Sequence, residues 1–561
     1  MPSALVDRLR EAVGLPVPVC EILVRRGRGG PDEARAFLRP AFDALHSPDL
    51  LPDMAAALDR VDRAIARGEL ILVHGDYDAD GLCSAALLTL GLRELGARVE
   101  PFVPHRLRDG YDLGDGGLAR ARDLGAGLII TADCGVSAVE AVAEAGRMGL
   151  DVVVTDHHRP SPRLPDAVAV VDPARSDAGY PFQGLAGVGV AFKLLSGLYA
   201  RGGVSQDGLN RHLDLVALGT VADLVPLLDE NRILVRAGLG ALSRTRKPGL
   251  RALASAAGVD LGGSPGATDI GYRLAPRLNA AGRVGAAETG LRLLLADEPG
   301  EAERLASVVE MHNRERRQED RRVRAEAEAQ LVERYDPERD RSVLLWGEDW
   351  HPGVIGIVAS RLVEQVHRPV ILVSLREEPG RGSGRSIPGF HLHRALEACS
   401  DLLERFGGHR MAAGLEVRRE RLEALALRFE EEAARTLTAE ALQPDLQLDL
   451  SLPLRNVDED LWRGLEYLAP FGTDNPRPVL HVRDVRFERS ATVGSDGDHL
   501  KAILAGDDDS RLEAIGFGMG GRLGEASSSR VEVAFELSRD RYRGRERLQA
   551  RMLDFRPVVG P

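Results

Sequence analysis

The feature that most constrains this chain is the stretch from Leu70 to Gly81. Four aliphatic residues, Leu70-Ile71-Leu72-Val73, run straight into His74-Gly75-Asp76-Tyr77-Asp78-Ala79-Asp80-Gly81. A short unbroken aliphatic run fits a strand covered on both faces. The residues that follow, Leu82 to Leu88, fit a helix. One histidine and three alternating carboxylates therefore sit where a strand leaves a sheet, the edge at which open α/β sheets bind ligands. Asp-x-Asp-x-Asp-Gly also opens a calcium loop of the EF-hand type. That loop needs a helix before it and a Glu at its twelfth position, which is Leu87 when Asp76 counts as one. Three aspartates this close repel one another, so at a partly buried edge they call for cations. A solvated acidic turn is the plain alternative.

From Leu70 to Pro173 strand and helix alternate. The predicted strands are Leu70–Val73, Arg98–Val103, Gly127–Thr131, Val152–Thr155 and Val168–Val171, with a helix over Val136 to Met148. Such alternation predicts a parallel sheet with helices on both faces. The third strand runs into Asp133, the fourth into Asp156-His157-His158, and an apolar helix ends at Asp223. Ends of parallel strands share one edge, so these side chains can converge. Each motif is weak alone; four together point to a functional site. Carboxylate and imidazole without thiolate suit Mn²⁺, Mg²⁺ or Fe²⁺ rather than structural zinc. So many carboxylates favour two ions sharing a bridging Asp, a site for phosphoryl chemistry. Cys20, Cys83, Cys134 and Cys399 lie far apart, which fits a reducing compartment and reads as core packing.

His74-x-x-x-Asp78-x-Asp80, Asp133, Asp156-His157-His158 and Asp223 resemble the four motifs of the DHH phosphoesterase superfamily. Four later segments are similar to the RecJ family within it, the bacterial 5′-to-3′ exonucleases specific for single-stranded DNA. They are Ala275-Pro276-Arg277-Leu278-Asn279-Ala280-Ala281-Gly282-Arg283, the run Trp350 to Arg361, Gly382-Ser383-Gly384-Arg385-Ser386 and Phe406-Gly407-Gly408-His409. The resemblance covers most of the chain after about residue 50. It implies two divalent ions, Mn²⁺ or Mg²⁺. One is expected on His74, Asp78 and Asp133, the other on Asp80, Asp133, His157 and Asp223, with Asp133 bridging. Asp76 and Asp156 are expected in the outer shell or orienting the imidazoles. His158 is expected to face the scissile phosphate as hydrogen-bond donor or proton source. A pocket for the terminal 5′ phosphate is implied at Arg277, Ser383 and Arg385, with His409 near the cleavage point. The resemblance further implies hydrolysis of single strands to mononucleotides in repair and recombination, beside a single-strand-binding protein and a helicase. Two other readings stand beside it. One is a hydrolase of short oligonucleotides or cyclic dinucleotides, whose relatives stop before the last domain. The other is a non-catalytic replication scaffold, which the full set of ligand types argues against.

The rest of the chain fits an α/β protein of several domains, since 561 residues exceed one core. Expected divisions are an N-terminal cap (1–50) on the domain that follows, a DHH catalytic domain (51–300), a connecting helix (301–337), a smaller α/β DHHA1 domain (338–440) and an all-β OB-fold barrel (441–561). Arg106 follows the second strand and so lies at the metal edge, able to hold a phosphate. Gly184-x-x-Gly187-x-Gly189 lacks the last Gly of a dinucleotide fingerprint and reads as a packing turn before a helix. Arg273, Arg277, Asn279 and Arg283 make a polar run that the resemblance turns towards phosphate contacts. Glu301 to Tyr335 is dense in Glu and Arg and polar nearly all round, which predicts a solvated strut between domains. The Gly-rich segments at Ser383–Arg385 and Gly407–His409 read as loops that let backbone approach an anion. From about 445, predicted strands at Leu446–Leu450, Val479–Val482, Val485–Arg489, Ala502–Ala505, Glu513–Phe517, Val531–Leu537 and Leu548–Asp554 fit a barrel that tracks single-stranded DNA, with a basic hairpin over Arg539–Arg545.

A net charge of −13 excludes a protein coated in basic surface, but not a local basic groove. The positive charge is almost all Arg, since Lys193, Lys247 and Lys501 are the three lysines. Arg is the better bidentate phosphate ligand. No signal-peptide pattern or membrane-length apolar run stands in the sequence, so a cytoplasmic protein is expected.

Overall fold

The computed structural model describes residues 3–105, 112–494, 496–527, 530–542 and 545–558. Strands β1 (Leu70–Gly75), β2 (Arg98–Phe102), β3 (Leu128–Ala132), β4 (Asp151–Thr155) and β5 (Ala169–Val171) form one sheet in the order β2-β1-β3-β4-β5. Every pairing in it is parallel. Side chains alternate between two cores, as a period of two demands. Ile71, Val73, Leu128, Ile130 and Val153 pack on one face; Leu72, Ile129, Val152 and Val154 pack on the other. The chain leaves β1 for β2 on one side and reaches β3 on the other. The reversal of strand order therefore falls beside the β1 and β3 ends, where such sheets open a crevice.

The second sheet contains β6 (Val343–Gly347), β7 (Val370–Ser374), β8 (Gly380–Arg385), β9 (Arg405–Gly408) and β10 (Ala412–Val417), in the order β6-β7-β8-β10-β9. Both Gly-rich segments, expected as loops, are thus strands. Glycines hide strand alternation because they carry no side chain. At Gly382 and Gly384 they are required, since a Cβ there would collide with Leu415 and Leu392.

The last sheet holds β11 (Leu450–Ser451), β12 (Val479–Val493), β13 (His499–Ala505), β14 (Arg511–Gly516), β15 (Val531–Tyr542) and β16 (Arg545–Pro557). The pairing of β12 with β15 closes the five longer strands into a barrel. The two strands expected at 479–482 and 485–489 are one, bent by register shifts at Val482/Val485 and Glu488/Ala491. Of the strand expected at Leu446–Leu450, Leu450 alone pairs, together with Ser451. Arg543 and Gly544 of the basic hairpin lie outside the described residues.

The N-terminal helices do not simply cap the domain that follows them. Leu9, Val19, Ile22, Leu23 and Phe37 share one apolar core with Leu480, Val482, Phe535 and Phe555 of the barrel. The connecting helix spans Pro299–Arg334 and is not polar all round. Ala302, Leu305, Ala306 and Val309 join the core on one face of the first sheet, and Val323, Ala327 and Leu331 join the core under β6 and β7. Between these ends the buried stripe turns polar, through Asn313, Arg316 and Asp320. Asp320 pairs with Arg361 at 2.9 Å, and Arg316 donates to Asn313. No helix among the described residues is long and apolar enough to cross a membrane.

Candidate active site

The sheet extends its hydrogen-bond ladder by one residue beyond three strands, and each of those residues is an aspartate. Asp76 N–H donates to the Ala132 carbonyl, Asp133 N–H to Thr155 and Asp156 N–H to Val171. This staircase carries the carboxylates to one edge in register. Asp133 takes a left-handed backbone, φ 65°, which turns the chain sharply after β3. Non-glycine residues rarely adopt that region, and such strain gathers at functional sites.

The motif after β1 is held by backbone donors. Asp78 caps the helix Ala79–Glu94, its Oδ1 accepting from Asp80 N–H and Gly81 N–H at 3.0 Å each. Asp80 accepts from Gly187 N–H at 2.8 Å and Val188 N–H at 3.1 Å. The Gly184–Gly189 segment therefore does more than pack: it opens the helix Gly187–Arg201 onto a buried carboxylate, where the helix dipole favours negative charge. Gly187 also lies so close to Asp133 that a Cβ would collide with its carboxylate.

Three donor groups result, each with ligand atoms within 4.8 Å of one another. They are Asp80, His157 and Asp223; Asp76, Asp78 and Asp133; and Asp133, His157 and His158. Asp133 belongs to two of them. Asp133 Oδ1 and His157 Nε2 are buried and 3.0 Å apart, yet they lack hydrogen-bond geometry towards each other. His157 Nε2 is also 3.4 Å from Asp223. Buried oxygen and nitrogen atoms that converge without satisfying one another suit a cation between them. His74 is in none of these groups. It is buried, its ring 5.4 Å from Phe102 and its Nδ1 3.7 Å from Cys134 Sγ. The expected partner of Asp78 and Asp133 is His74; in the structure the residue whose ligand atom lies near theirs is Asp76.

Electrostatics match this crowding. Burial pushes Asp80 up to about 7, with Asp223 adding to the effect. Burial likewise pushes Asp133 well above the ordinary carboxylate range, and Asp80 pushes it further. Asp223 is raised by burial too. Burial alone would lower His157, but Asp223 and Asp80 outweigh it and raise the imidazole. His158 is raised to about 9, because the hydrogen bond and charge of Asp156 overcome burial. Asp156 ends below its ordinary value, since His158 more than offsets its burial. It accepts from His158 Nδ1 at 2.7 Å, from His157 and His158 N–H, and from Val136 N–H. That makes it the group that orients the His-His pair.

Asp76, Asp78, Asp156 and Asp223 line a cavity of about 680 Å³ that also includes His158, Asn279, Arg283 and His409. Asn279 accepts from Ala79 N–H at 2.8 Å and so fastens the motif loop. A second cavity, of about 590 Å³, is walled by Arg283, Gly356, Ser383 and Arg385 and floored by β9 and β10. Arg283 lines both. Arg385 donates to Ser383 Oγ at 3.1 Å beside the first turn of the helix Ile355–Val366. Arg277 lines neither cavity. Its buried guanidinium pairs with Glu310 at 2.7 Å and donates to the Arg273 carbonyl. Arg273 is occupied by Asp269 and the Ala257 carbonyl. Arg106 lies outside the described residues.

Two acids escaped the sequence reading. Asp112, at φ 77°, lines the acidic cavity and is raised to about 6 by burial. Its segment gave no pattern. Asp172 is fully buried just after β5, and burial raises it to about 7. An Asp at the end of the fifth strand repeats the signal of the first, third and fourth.

Comparison with known proteins agrees with this geometry. Residues 70–220 match the DHH family N-terminal domain, residues 340–435 the DHHA1 domain and residues 448–554 the RecJ OB domain. The chain is 38% identical over 552 residues to the single-stranded-DNA-specific exonuclease RecJ of Bacillus subtilis, covering 98% of this chain and 69% of that protein. It is 37% identical to RecJ of Dickeya dadantii, covering 95% of each. The crystal structure of Thermus thermophilus RecJ in complex with Mn²⁺ superposes with a TM-score of 0.85 at 32% identity, over 100% of this chain and 79% of that one. The same protein in complex with Mg²⁺ gives 0.80 at 31%, over 100% and 78%. The chain belongs to the RecJ family.

Proposed function

We propose that this chain is a metal-dependent exonuclease that removes nucleotides from single-stranded DNA, starting at the 5′ end. The observation that carries the reading is the junction of an acidic cavity and a basic one at Arg283. Asp80, His157 and Asp223 would hold one divalent cation, Mn²⁺ or Mg²⁺, and Asp76, Asp78 and Asp133 the other, with Asp133 reaching both. Bound there, such cations supply the Lewis acidity that activates water at neutral pH and offsets charge on the phosphate. The protein's own residues do the rest. Asp156 accepts from His158 Nδ1 and so orients the imidazole as a donor for the leaving 3′ oxygen. His409 brings the second domain against the same cavity. Ser383, Arg385 and Arg283 bind a 5′ phosphate by charge-assisted hydrogen bonds. A chain end anchored at a fixed distance from the acids presents the first phosphodiester and no other.

The barrel fits a track for the strand beyond the cleavage point. Phe517 is 55% exposed and stands edge-on to His499 with ring centroids 5.1 Å apart, a surface on which bases can stack. Repair and recombination in the cytoplasm, beside a single-strand-binding protein and a helicase, is the setting we infer. Retention of those two proteins on the immobilised chain tests it. The activity itself is tested by digesting strands labelled at either end, with Mn²⁺, Mg²⁺ or chelator. Release of labelled mononucleotide from the 5′ end first, only with metal, is expected. Release from the 3′ end first, or without metal, contradicts the reading.

A further inference from the structure

The basic cavity is longer than one phosphate needs, and its far end carries charge that the reading above leaves unused. Register across β8, β10 and β9 arranges its wall in rows. Arg385 faces Ala412, whose carbonyl accepts from His409 N–H, so this row adjoins the acidic cavity. The next row is Ser383, Gly414 and Gly407. The row after that is Arg381, Glu416 and Arg405. Residues two apart on a strand point the same way, about 7 Å from one another. The far arginines therefore stand one row beyond the 5′-phosphate position, on the side away from the acids.

Where β10 and β9 cross the middle row, Gly414 and Gly407 make a floor without side chains, and the protein does not need it so. Gly407 and Gly414 lie outside the left-handed region. A Cβ on Gly407 would meet no atom within 4 Å, and one on Gly414 would meet the Gly382 carbonyl at 3.9 Å. Glycine in a strand costs conformational entropy. What its absence of side chain leaves here is clearance above the sheet, between two groups of arginines. At the far row, Arg381 pairs with the exposed Glu377 at 3.3 Å. Arg405 makes no ion pair among the described residues. Glu416 stands between them and Glu377 answers Arg381, which leaves Arg405 as the guanidinium of this row without an ion pair among the described residues.

We propose that this row is a second anion station, and that the chain accepts single strands whose 5′ end carries a triphosphate. The inference rests on the exonuclease reading. The α-phosphate occupies the Ser383 and Arg385 position, and the β- and γ-phosphates cross the glycine floor to Arg381 and Arg405. Water attacks the phosphorus joining the first and second nucleotides, and the bond to the first nucleotide's O3′ breaks. That oxygen takes a proton, so the first product is a nucleoside 5′-triphosphate. The shortened strand begins with an ordinary 5′ phosphate, and later products are monophosphates.

The test compares kcat/KM of the full chain with Mn²⁺ on oligonucleotides of one sequence bearing a 5′ monophosphate or a 5′ triphosphate, with the first product identified by mass. The triphosphate end is expected to be cleaved within about threefold of the monophosphate end, a spread smaller than one charge-assisted hydrogen bond, and to release a nucleoside triphosphate. In Arg381→Ala/Arg405→Ala the ratio of triphosphate to monophosphate kcat/KM is expected to fall about tenfold, the loss of such a bond. Glu416→Gln is expected to raise that ratio. A wild-type ratio below about one tenth overturns the second station, as does a ratio that neither variant changes or a first product that is a monophosphate. Cleavage of neither end would instead refute the exonuclease reading, and this inference with it.

Discussion

The two cavities that meet at Arg283 are built in opposite ways. The acidic one is fixed by backbone. Asp78 and Asp80 each accept two N–H groups, Asp76, Asp133 and Asp156 continue the ladder of their strands, and Gly187 leaves Asp133 no room to move. The basic one is fixed by side chains. Arg381 and Arg385 stand half-exposed on a strand of alternating glycines, held by a hydroxyl or a surface acid. The difference suits two tasks. Charges that repel must be pinned before a cation arrives, because the fold bears their cost while the site is empty. Cations that attract an anion tolerate motion, since Arg carries its own geometry. On the proposed function chemistry is thereby separated from end selection, and substitutions in the two cavities should fail differently.

Asp133→Ala should be the most severe change. It removes the acid shared by two donor groups, and cleavage should fall at least about a thousandfold, as when a catalytic group acting as part of a unit is lost. Binding of a single strand, measured by fluorescence anisotropy, should persist. Retained cleavage would break the contrast between the cavities. Arg385→Ala should cost about 1.5–3 kcal/mol of binding to the terminal phosphate, the range for hydrogen bonds to charged groups. Kinetics on strands with and without a 5′ phosphate should then show no preference between them. A variant that still discriminates would move end selection elsewhere.

The acidic cavity also predicts a pH dependence of stability. Asp80 titrates near 7 in the folded chain against an ordinary 3.8, so across that interval the folded state holds a proton the unfolded state has lost. Stability therefore falls as pH rises. His158, held up to about 9 from 6.5, contributes stability that is complete below 6.5 and lost through 9. The two slopes have the same sign. Asp156, lowered, opposes them only in acid below 3.8. Without metal, the melting temperature should drop by several degrees, about 5 °C, between pH 6 and pH 9, and Mn²⁺ should restore it most at pH 9. A melting temperature that rises with pH in chelator would contradict the raised values.

A smaller effect concerns the barrel. Because its core includes Val19, Ile22, Leu23 and Phe37, deleting residues 441–561 alone should leave that apolar face bare and the protein prone to aggregate. Deleting residues 1–40 as well should give a soluble fragment that cleaves short strands and binds long ones about tenfold more weakly, the order of one stacking contact. Sedimentation and anisotropy distinguish these outcomes.

The parallel sheet was legible because buried aliphatic runs end sharply in polar residues, as at Val73-His74 and Thr155-Asp156. A cluster of aspartates and histidines was legible because the ends of three strands and one helix carried them. What stayed hidden lacked a local signal. Glycines at 382, 384, 407 and 414 concealed three strands, β8, β9 and β10. Arg483-Asp484 looked like a turn and is a bend inside β12. The stripe of the helix Pro299–Arg334 was masked by Asn313, Arg316 and Asp320, which are buried but polar. The union of the N-terminal helices with the barrel joins residues more than 400 positions apart, beyond any periodicity. The grip of Gly187 and Val188 on Asp80 is a backbone contact, which side-chain types do not encode. Asp76 rather than His74 has a ligand atom near those of Asp78 and Asp133, a placement that residue types alone do not encode.

The central claim is that aspartates and histidines from four separate segments converge on divalent cations. Crystals soaked in Mn²⁺ and measured at the manganese absorption edge test it most directly. Two anomalous peaks are expected, one among Asp80, His157 and Asp223 and one among Asp76, Asp78 and Asp133, with Asp133 within ligand distance of both. Peaks confined to other residues, or none at this edge of the sheet, would contradict it.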